Sequence, residues 1–258
     1  MSIFTSNVLE PFTTILLIGL AGITSFLTAA LGAGGGLLLL VVMASIMPMA
    51  VVIPVHGLVQ LGSNANRMLM TFRYIDMPML IYFSIGGIIG AIGASFLVVE
   101  LPLELMKIAV GLFVIYLLWG ARPTLRETSK SWRVFVGIFT TFMSMFVGAS
   151  GPLVGSFMQV NGYEKMRFTA TFSSCMTFQH LLKAFVFGAI GFSFWQWLPL
   201  IIAMIVSGAI GTWLGLKQLK KTPTEKFRSV FRFILSLLCA QLIIQAIFQT
   251  IGAHSFPF

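Results

Sequence analysis

The sequence predicts an all-α, polytopic membrane protein made of two inverted repeats of about five helical segments each, with Gly-rich broken helices. Three observations predict it. The chain has too few charges to cover a water-facing surface. Its uncharged runs are long enough to cross a bilayer several times. A glycine-rich motif occurs once in each half.

Of the 258 residues, 58% are hydrophobic and 9% charged, whereas soluble domains carry about 25% charged residues. Residues 11–66, 77–99, 134–163, 184–216 and 233–258 contain no Asp, Glu, Lys or Arg. A spanning helix needs about 20 apolar residues, so the first run alone accommodates two or three passes. A membrane β-barrel would show alternation over segments of about ten residues. Ile15 to Leu20 and Leu37 to Met43 are continuously apolar instead, which excludes the barrel.

The net charge is +9. Ten of the sixteen basic residues fall in 122–133 and 217–232, as cytoplasmic loops obeying the positive-inside rule would. Nucleic acid is not an expected partner; the bilayer is. Cys175 and Cys239 sit in apolar segments without disulfide or metal spacing. The first eleven residues lack a basic n-region and a small-residue cleavage site, so no cleaved signal peptide is expected.

The two halves resemble each other in order and spacing. Leu31-Gly-Ala-Gly-Gly-Gly-Leu37 matches Val147-Gly-Ala-Ser-Gly-Pro-Leu153 at four of seven positions. Gly87-Ile-Ile-Gly90 corresponds to Gly208-Ala-Ile-Gly211, and Pro102-Leu-Glu104 to Pro223-Thr-Glu225. In the last pair Pro can open a helix, and the acid suits the positive end of its dipole. The first repeat is assigned to 1–120, a cytoplasmic linker to 121–131 and the second repeat to 132–258. The helical segments expected are 12–31, 35–47, 49–71, 77–98 and 103–120, then 132–149, 152–162, 166–187, 194–216 and 223–248. The second of each set is short and follows the glycine-rich break, so it either crosses or re-enters.

Five crossings per half would invert the second half. The loop near Glu100 is then outside, the basic loop 217–222 and the linker are cytoplasmic, and both termini are outside. If the short segments do not cross, eight crossings result. Inverted repeats with broken helices are a recurring plan of secondary transporters.

Gly32, Gly34, Gly35 and Gly36 let the backbone leave helical geometry. A helix restarting near Leu37 would present free amides and a positive dipole end, which favour an anion. Gly148, Ser150, Gly151 and Pro152 repeat the arrangement, with Ser150 adding a hydroxyl. The competing reading is close helix packing on small residues.

The run Gly-Ala-Gly-Gly-Gly-Leu after the first long apolar segment, with Gly-Ala-Ser-Gly-Pro-Leu at mid-chain, resembles the TauE/SafE family of membrane transporters, the sulfite exporter or toluene sulfonate uptake permease family. The resemblance covers nearly the whole chain. It implies transport of sulfur-containing anions such as sulfite, sulfoacetate or other organosulfonates. The family usually has a Pro some residues after the glycines. Pro48 fills that role in the first half, whereas Pro152 lies inside the second motif and the later one is missing.

The third segments hold most polar side chains. His56, Gln60, Ser63, Asn64 and Arg67 fall on one helical face. The second half offers Ser173, Ser174, Thr177, Gln179, His180 and Lys183. With the register fixed at the glycine motifs, Asn64 aligns with His180 and Arg67 with Lys183. A buried membrane cation is a functional candidate, and Arg and Lys beside amide donors suit a sulfonate or sulfite. Snorkelling to the headgroups is the alternative. The expected substrate-binding set is therefore Gly34, Gly35, Gly36, Asn64, Arg67, Ser150, Gly151, Gln179, His180 and Lys183. His180, and secondarily His56, are candidates for proton coupling; hydrogen bonding between helices is the commoner use. His254 lies in the tail. All seven acids lie near predicted segment ends, and Trp195 and Trp197 read as interfacial anchors.

The function expected is a secondary transporter, acting as an exporter, for small sulfur-containing anions by alternating access. Export of an anion down an inside-negative potential gains about 2.3 kcal/mol per charge per 100 mV. An anion channel is the alternative, and a membrane-embedded enzyme a more remote one, since no nucleophile with a base and no paired carboxylates are recognisable. No cofactor, no metal and no ATP-binding motif are expected. A homodimer is left open as the assembly.

Overall fold

The computed structural model describes residues 9–31, 34–97, 103–120, 129–148, 150–159, 161–218 and most of 233–248. The described residues are helical, without strands. In chain order they form α1 (Pro11–Leu31), α2 (Gly35–Ile46), α3 (Met49–Thr71), α4 (Met77–Ser95), α5 (Leu103–Trp119), α6 (Lys130–Val147), α7 (Gly151–Gln159), α8 (Lys165–Ala189) and α9 (Leu198–Gln218). A further apolar helix, α10, covers Ser236–Phe248. These elements fall on the segments expected from sequence, with ends displaced by one to three residues in most cases. The expected segment 194–216 is a single 3-10 turn, Trp195–Trp197, running into α9. The first part of 223–248, the loop around Glu100 and both chain ends lie outside the described residues.

Local chemistry sets the helix ends. Asp76 caps α4 by accepting from the Met79 amide at 3.1 Å, and Ser129 caps α6 from the Trp132 amide at 3.3 Å. Each satisfies a first-turn N–H that has no internal partner. Gly148 closes α6 at φ 86°, returning its amide to the Ser144 carbonyl at 3.0 Å. Gly34 precedes α2 at φ 113°. Both positions need a left-handed backbone that a Cβ would resist.

Small residues set the helix pairing and reveal its direction. A Cβ on Gly90 would run into the Ile138 carbonyl, and one on Gly137 into that of Phe83, so α4 and α6 touch backbone to backbone. In α1 and α9, a Cβ on Gly211 would meet the Gly22 carbonyl, and on Gly215 that of Phe26. In each pair the contacts advance together along both chains, so both pairs are parallel. By contrast α3 and α8 are antiparallel: Gly57 meets the Lys183 stem, while Asp76, beyond the end of α3, bonds Thr171 near the start of α8. These directions place the start of α1 and the start of α6 on opposite sides. The second half is therefore inverted relative to the first.

Three helices are long and apolar enough to cross a membrane by length and composition: Pro11–Ala30, Met77–Ser95 and Trp195–Gln218. Their outer faces carry exposed apolar side chains, among them Phe12, Ile23, Ile85, Ile92, Ile202 and Ile210, as lipid contact requires. The more polar α3 and α8 have 23 and 25 residues and pack on each other at the centre. Trp195 is exposed as an interfacial anchor would be, but Trp197 is buried and packs in the core.

At 1.5 Å per residue α2 is about 18 Å long and α7 about 14 Å, short of the roughly 30 Å hydrocarbon thickness. A Cβ on Gly35 would strike the Thr24 carbonyl, well before the end of α1. The α2 helix thus starts beside the middle of α1 and completes the return crossing from there. Neither short helix crosses by itself.

Candidate functional site

The starts of α2 and α7 meet at a cavity of about 40 Å³ beside the centre of α3 and α8. Gly34, Gly36 and Leu37 line it from one half, and Gly151 and Pro152 from the other. The Leu37 amide bonds the Gly34 carbonyl and the Leu153 amide the Ser150 carbonyl, each at 3.0 Å, and Pro152 has no N–H; the amides of Gly35, Gly36 and Gly151 are left without an acceptor among the described residues, at ends that the helix dipole makes positive. Two such ends converge here.

The side walls come from α3 and α8. On α3, His56, Gln60 and Asn64 present three successive turns. On α8 the lining residues are Phe172, Met176 and His180. The offset that brings Gly32 onto Gly148 also brings His56 onto Phe172, Gln60 onto Met176 and Asn64 onto His180. The cavity is thus lined from equivalent positions with different chemistry: one wall is polar, the other mostly apolar.

A hydrogen-bonded file runs along the polar wall. His56 Nε2 lies 2.9 Å from the Gly36 carbonyl. A carbonyl only accepts, so Nε2 carries the proton in this contact and cannot also accept from Gln60 Nε2, which lies 3.3 Å away; Nδ1 has no partner among the described residues. Asn64 Nδ2 donates to the Gln60 carbonyl at 2.8 Å, and Arg67 NH1 donates to Asn64 Oδ1 at 3.4 Å. On the other wall, Gln179 Nε2 donates to Ser150 Oγ at 2.6 Å and to the Thr140 carbonyl at 3.2 Å. Its Oε1, and His180 Nδ1, are buried without partners among the described residues. The His56 and His180 rings stand 6.4 Å apart, edge to face.

The cavity therefore gathers Gly34, Gly36, Asn64, Gly151 and His180 from the expected binding set, together with His56, the secondary proton-coupling candidate. Ser150 and Gln179 lie behind it, bonded to each other. Gly35 faces α1 instead, where its lack of a side chain admits the Thr24 carbonyl; packing explains this glycine. The two cations are buried and do not snorkel, at 1% exposure for Arg67 and 0% for Lys183. Neither lines the cavity. Lys183 Nζ donates to the Gly148 carbonyl at 2.8 Å, and its stem lies over Gly57. Sequence reasoning left Gln60 out of the binding set and did not single out Phe172 or Met176. The repeat offset, applied to His56 and Gln60, points to both.

A second polar cluster lies at the end of the α3–α8 pair. Asp76 Oδ2 accepts from Tyr163 OH at 2.7 Å and from Arg167 NH2 at 3.0 Å, while the Asp76 amide donates to Thr171 Oγ1 at 3.0 Å. Burial alone would raise the Asp76 carboxyl, but the bonds from Tyr163, the Met79 amide and Arg167 outweigh it and hold it below the usual carboxylate range. Burial, followed by the bond to Asp76, pushes the Tyr163 hydroxyl up.

An all-helical membrane chain with two inverted halves and a polar cavity at paired helix starts has the build of a transport protein. The description "Sulfite exporter TauE/SafE" belongs to a family model that matches residues 15–242. The chain belongs to this family of membrane transporters. No curated protein and no solved structure matches it.

Proposed function

We propose that the protein is a secondary transporter, working as an exporter, of small sulfur-containing anions such as sulfite, sulfoacetate or other organosulfonates. The observation that carries this reading is the convergence of the α2 and α7 starts on one cavity walled by His56, Gln60, Asn64 and His180. Free amides and neutral donors replace the water shell of an oxyanion, and the dipole ends stabilise its charge. The apolar wall of Phe172 and Met176 accepts the rest of the molecule.

The repeats 1–120 and 132–258, joined by the linker 121–131, rock about the antiparallel α3–α8 pair to expose the cavity alternately. The chain resides in the cell inner membrane, with the linker and the loop 217–222 cytoplasmic and both termini outside. Proton coupling, if used, runs through His180 or His56, which stand in contact at the cavity.

The test is thermal stabilisation of the purified protein by sulfite, sulfoacetate, taurine, sulfate and acetate, with Gln60→Ala in parallel. A ligand at 100 times its Kd adds about 2.7 kcal/mol to folded-state stability. A sulfur oxyanion should raise the melting point of the wild type by several degrees, and Gln60→Ala should lose most of that rise. If no sulfur anion stabilises a monodisperse wild type, the substrate class is wrong.

A further inference from the structure

A cation buried in a membrane protein without a counter-ion is costly and marks an ion pathway. Arg67 and Lys183 are both of this kind: almost fully buried, and outside any ion pair among the described residues. Among the described residues Arg67 Nε has no partner, and the side chain's one hydrogen bond there, from NH1 to Asn64 Oδ1, is long at 3.4 Å. Lys183 has three N–H groups, and one of them meets the Gly148 carbonyl.

The two cations are not neighbours. The Lys183 stem rests on Gly57, and Arg67 lies ten residues further along α3, about 15 Å at helical rise. Of the polar wall of the cavity, Gln60 and Asn64 lie between those two levels and His56 stands at the Lys183 level. Arg67 reaches the cavity through Asn64, and Lys183 stands one turn beyond His180 on α8. Antiparallel packing of α3 and α8 produces this separation. Equivalent positions on two antiparallel helices fall on opposite sides of the pair's midpoint.

We propose that Arg67 and Lys183 are two separate anion stations, one on each membrane side of the cavity, and not two parts of a single binding site. The proposal rests on the transport reading above. An anion entering from either side meets one buried cation before it reaches the cavity, and leaves past the other. Each station supplies a counter-charge where the anion has lost its water. Neither cation needs a resident carboxylate, because the substrate is the intermittent partner.

Reporter cysteines one turn outward read each station separately: Thr71→Cys beside Arg67 and Phe187→Cys beside Lys183, with Cys175→Ala and Cys239→Ala removing the native thiols. The full chain is reconstituted in vesicles, and a membrane-impermeant thiol reagent is applied to one face at a time. Thr71→Cys should react from the face that carries Asp76 and Arg167, and Phe187→Cys from the other. Sulfoacetate at ten times its Kd should slow each reaction about tenfold by mass action. Arg67→Gln should abolish protection at Thr71→Cys and leave that at Phe187→Cys intact; Lys183→Gln should do the reverse. Arg67→Met and Lys183→Met replace any glutamine variant that loses monodispersity. Equal loss of protection at both cysteines from either substitution makes the cations one joint site and overturns the proposal. Unchanged protection in both also overturns it. If sulfoacetate and sulfite neither protect the cysteines nor stabilise the wild type, the transport reading falls, and the stations with it.

Discussion

Asp76 shows what one side chain can do at the junction of two halves. It caps α4, and it receives bonds from Tyr163 and Arg167, which lie about ninety residues away in sequence. Arg167 is 55% exposed, so solvent screens its charge and the pair adds little by itself. The cap and the Tyr163 bond matter more, at roughly 1 kcal/mol each. Asp76→Ala should therefore lower stability by about 2 kcal/mol. The pH dependence follows from the direction of the shift. The folded-state carboxyl titrates below its usual value of 3.8. Its stabilisation is complete above that value and is lost as pH falls through the folded-state pKa. Melting points measured from pH 6 down to pH 3 should fall at the acid end for the wild type and fall less for Asp76→Asn. Equal acid slopes would mean that the cluster does not couple to folding.

At the scale of elements, the glycines in the parallel pairs act as contact surfaces. A methyl group at Gly90 or Gly211 has a carbonyl of the partner helix in its way, and backbone cannot step aside as a flexible side chain can. Gly90→Ala and Gly211→Ala should each cost about 1–3 kcal/mol by overpacking, beyond the roughly 1 kcal/mol that alanine gains in helix propensity. Gly93→Ala is the internal control, since its Cβ would meet only Phe142 at 3.8 Å. That variant should be neutral or slightly stabilised. Equal melting points for all three would remove the packing account. The same comparison shows how far the sequence could be read. Lipid forces every backbone group into a helix, so uncharged runs and glycine breaks located the elements well. Their directions were legible only by counting crossings, and contacts such as that of Gly35 with Thr24 are needed to show that α2 starts at mid-depth. Periodicity placed His56, Gln60 and Asn64 on one face, but it carries no information about what faces them. Phe172 and Met176 become visible through the repeat offset. The register that pairs Arg67 with Lys183 is written in the sequence, whereas the distance of about 15 Å along α3 that antiparallel packing puts between them is not. Nothing local ties Asp76 to Tyr163.

At the scale of the whole molecule, helix direction and charge bear independently on the proposed orientation. The ends of α3 and α9 and the starts of α4, α6 and α8 fall on one side once α1 is parallel to α9, α4 is parallel to α6, and α3 is antiparallel to α8. That side carries Arg73, Lys130, Arg133, Lys165, Arg167 and Lys217, with Lys217 over the Trp213 ring at 3.3 Å. Lys107, near the start of α5, stands on the opposite side. On the proposed topology, in which the basic side is cytoplasmic, the Asp76 cluster faces the cytoplasm and the Arg67 station opens inward. Reporter fusions test this without reference to substrate. A fluorescent protein joined after residue 126 should fold and fluoresce, because the proposed topology puts that position in the cytoplasm. Alkaline phosphatase, which needs an oxidising compartment, should be active when joined after residue 98 or residue 191 and inactive after residue 126. The pattern depends on α2 and α7 each completing a return crossing from mid-depth. Were α7 a true re-entrant hairpin, the junction after residue 191 would change sides relative to that after residue 126. Phosphatase activity after residue 126 would thus reverse the assigned orientation and put Arg67 on the outer face.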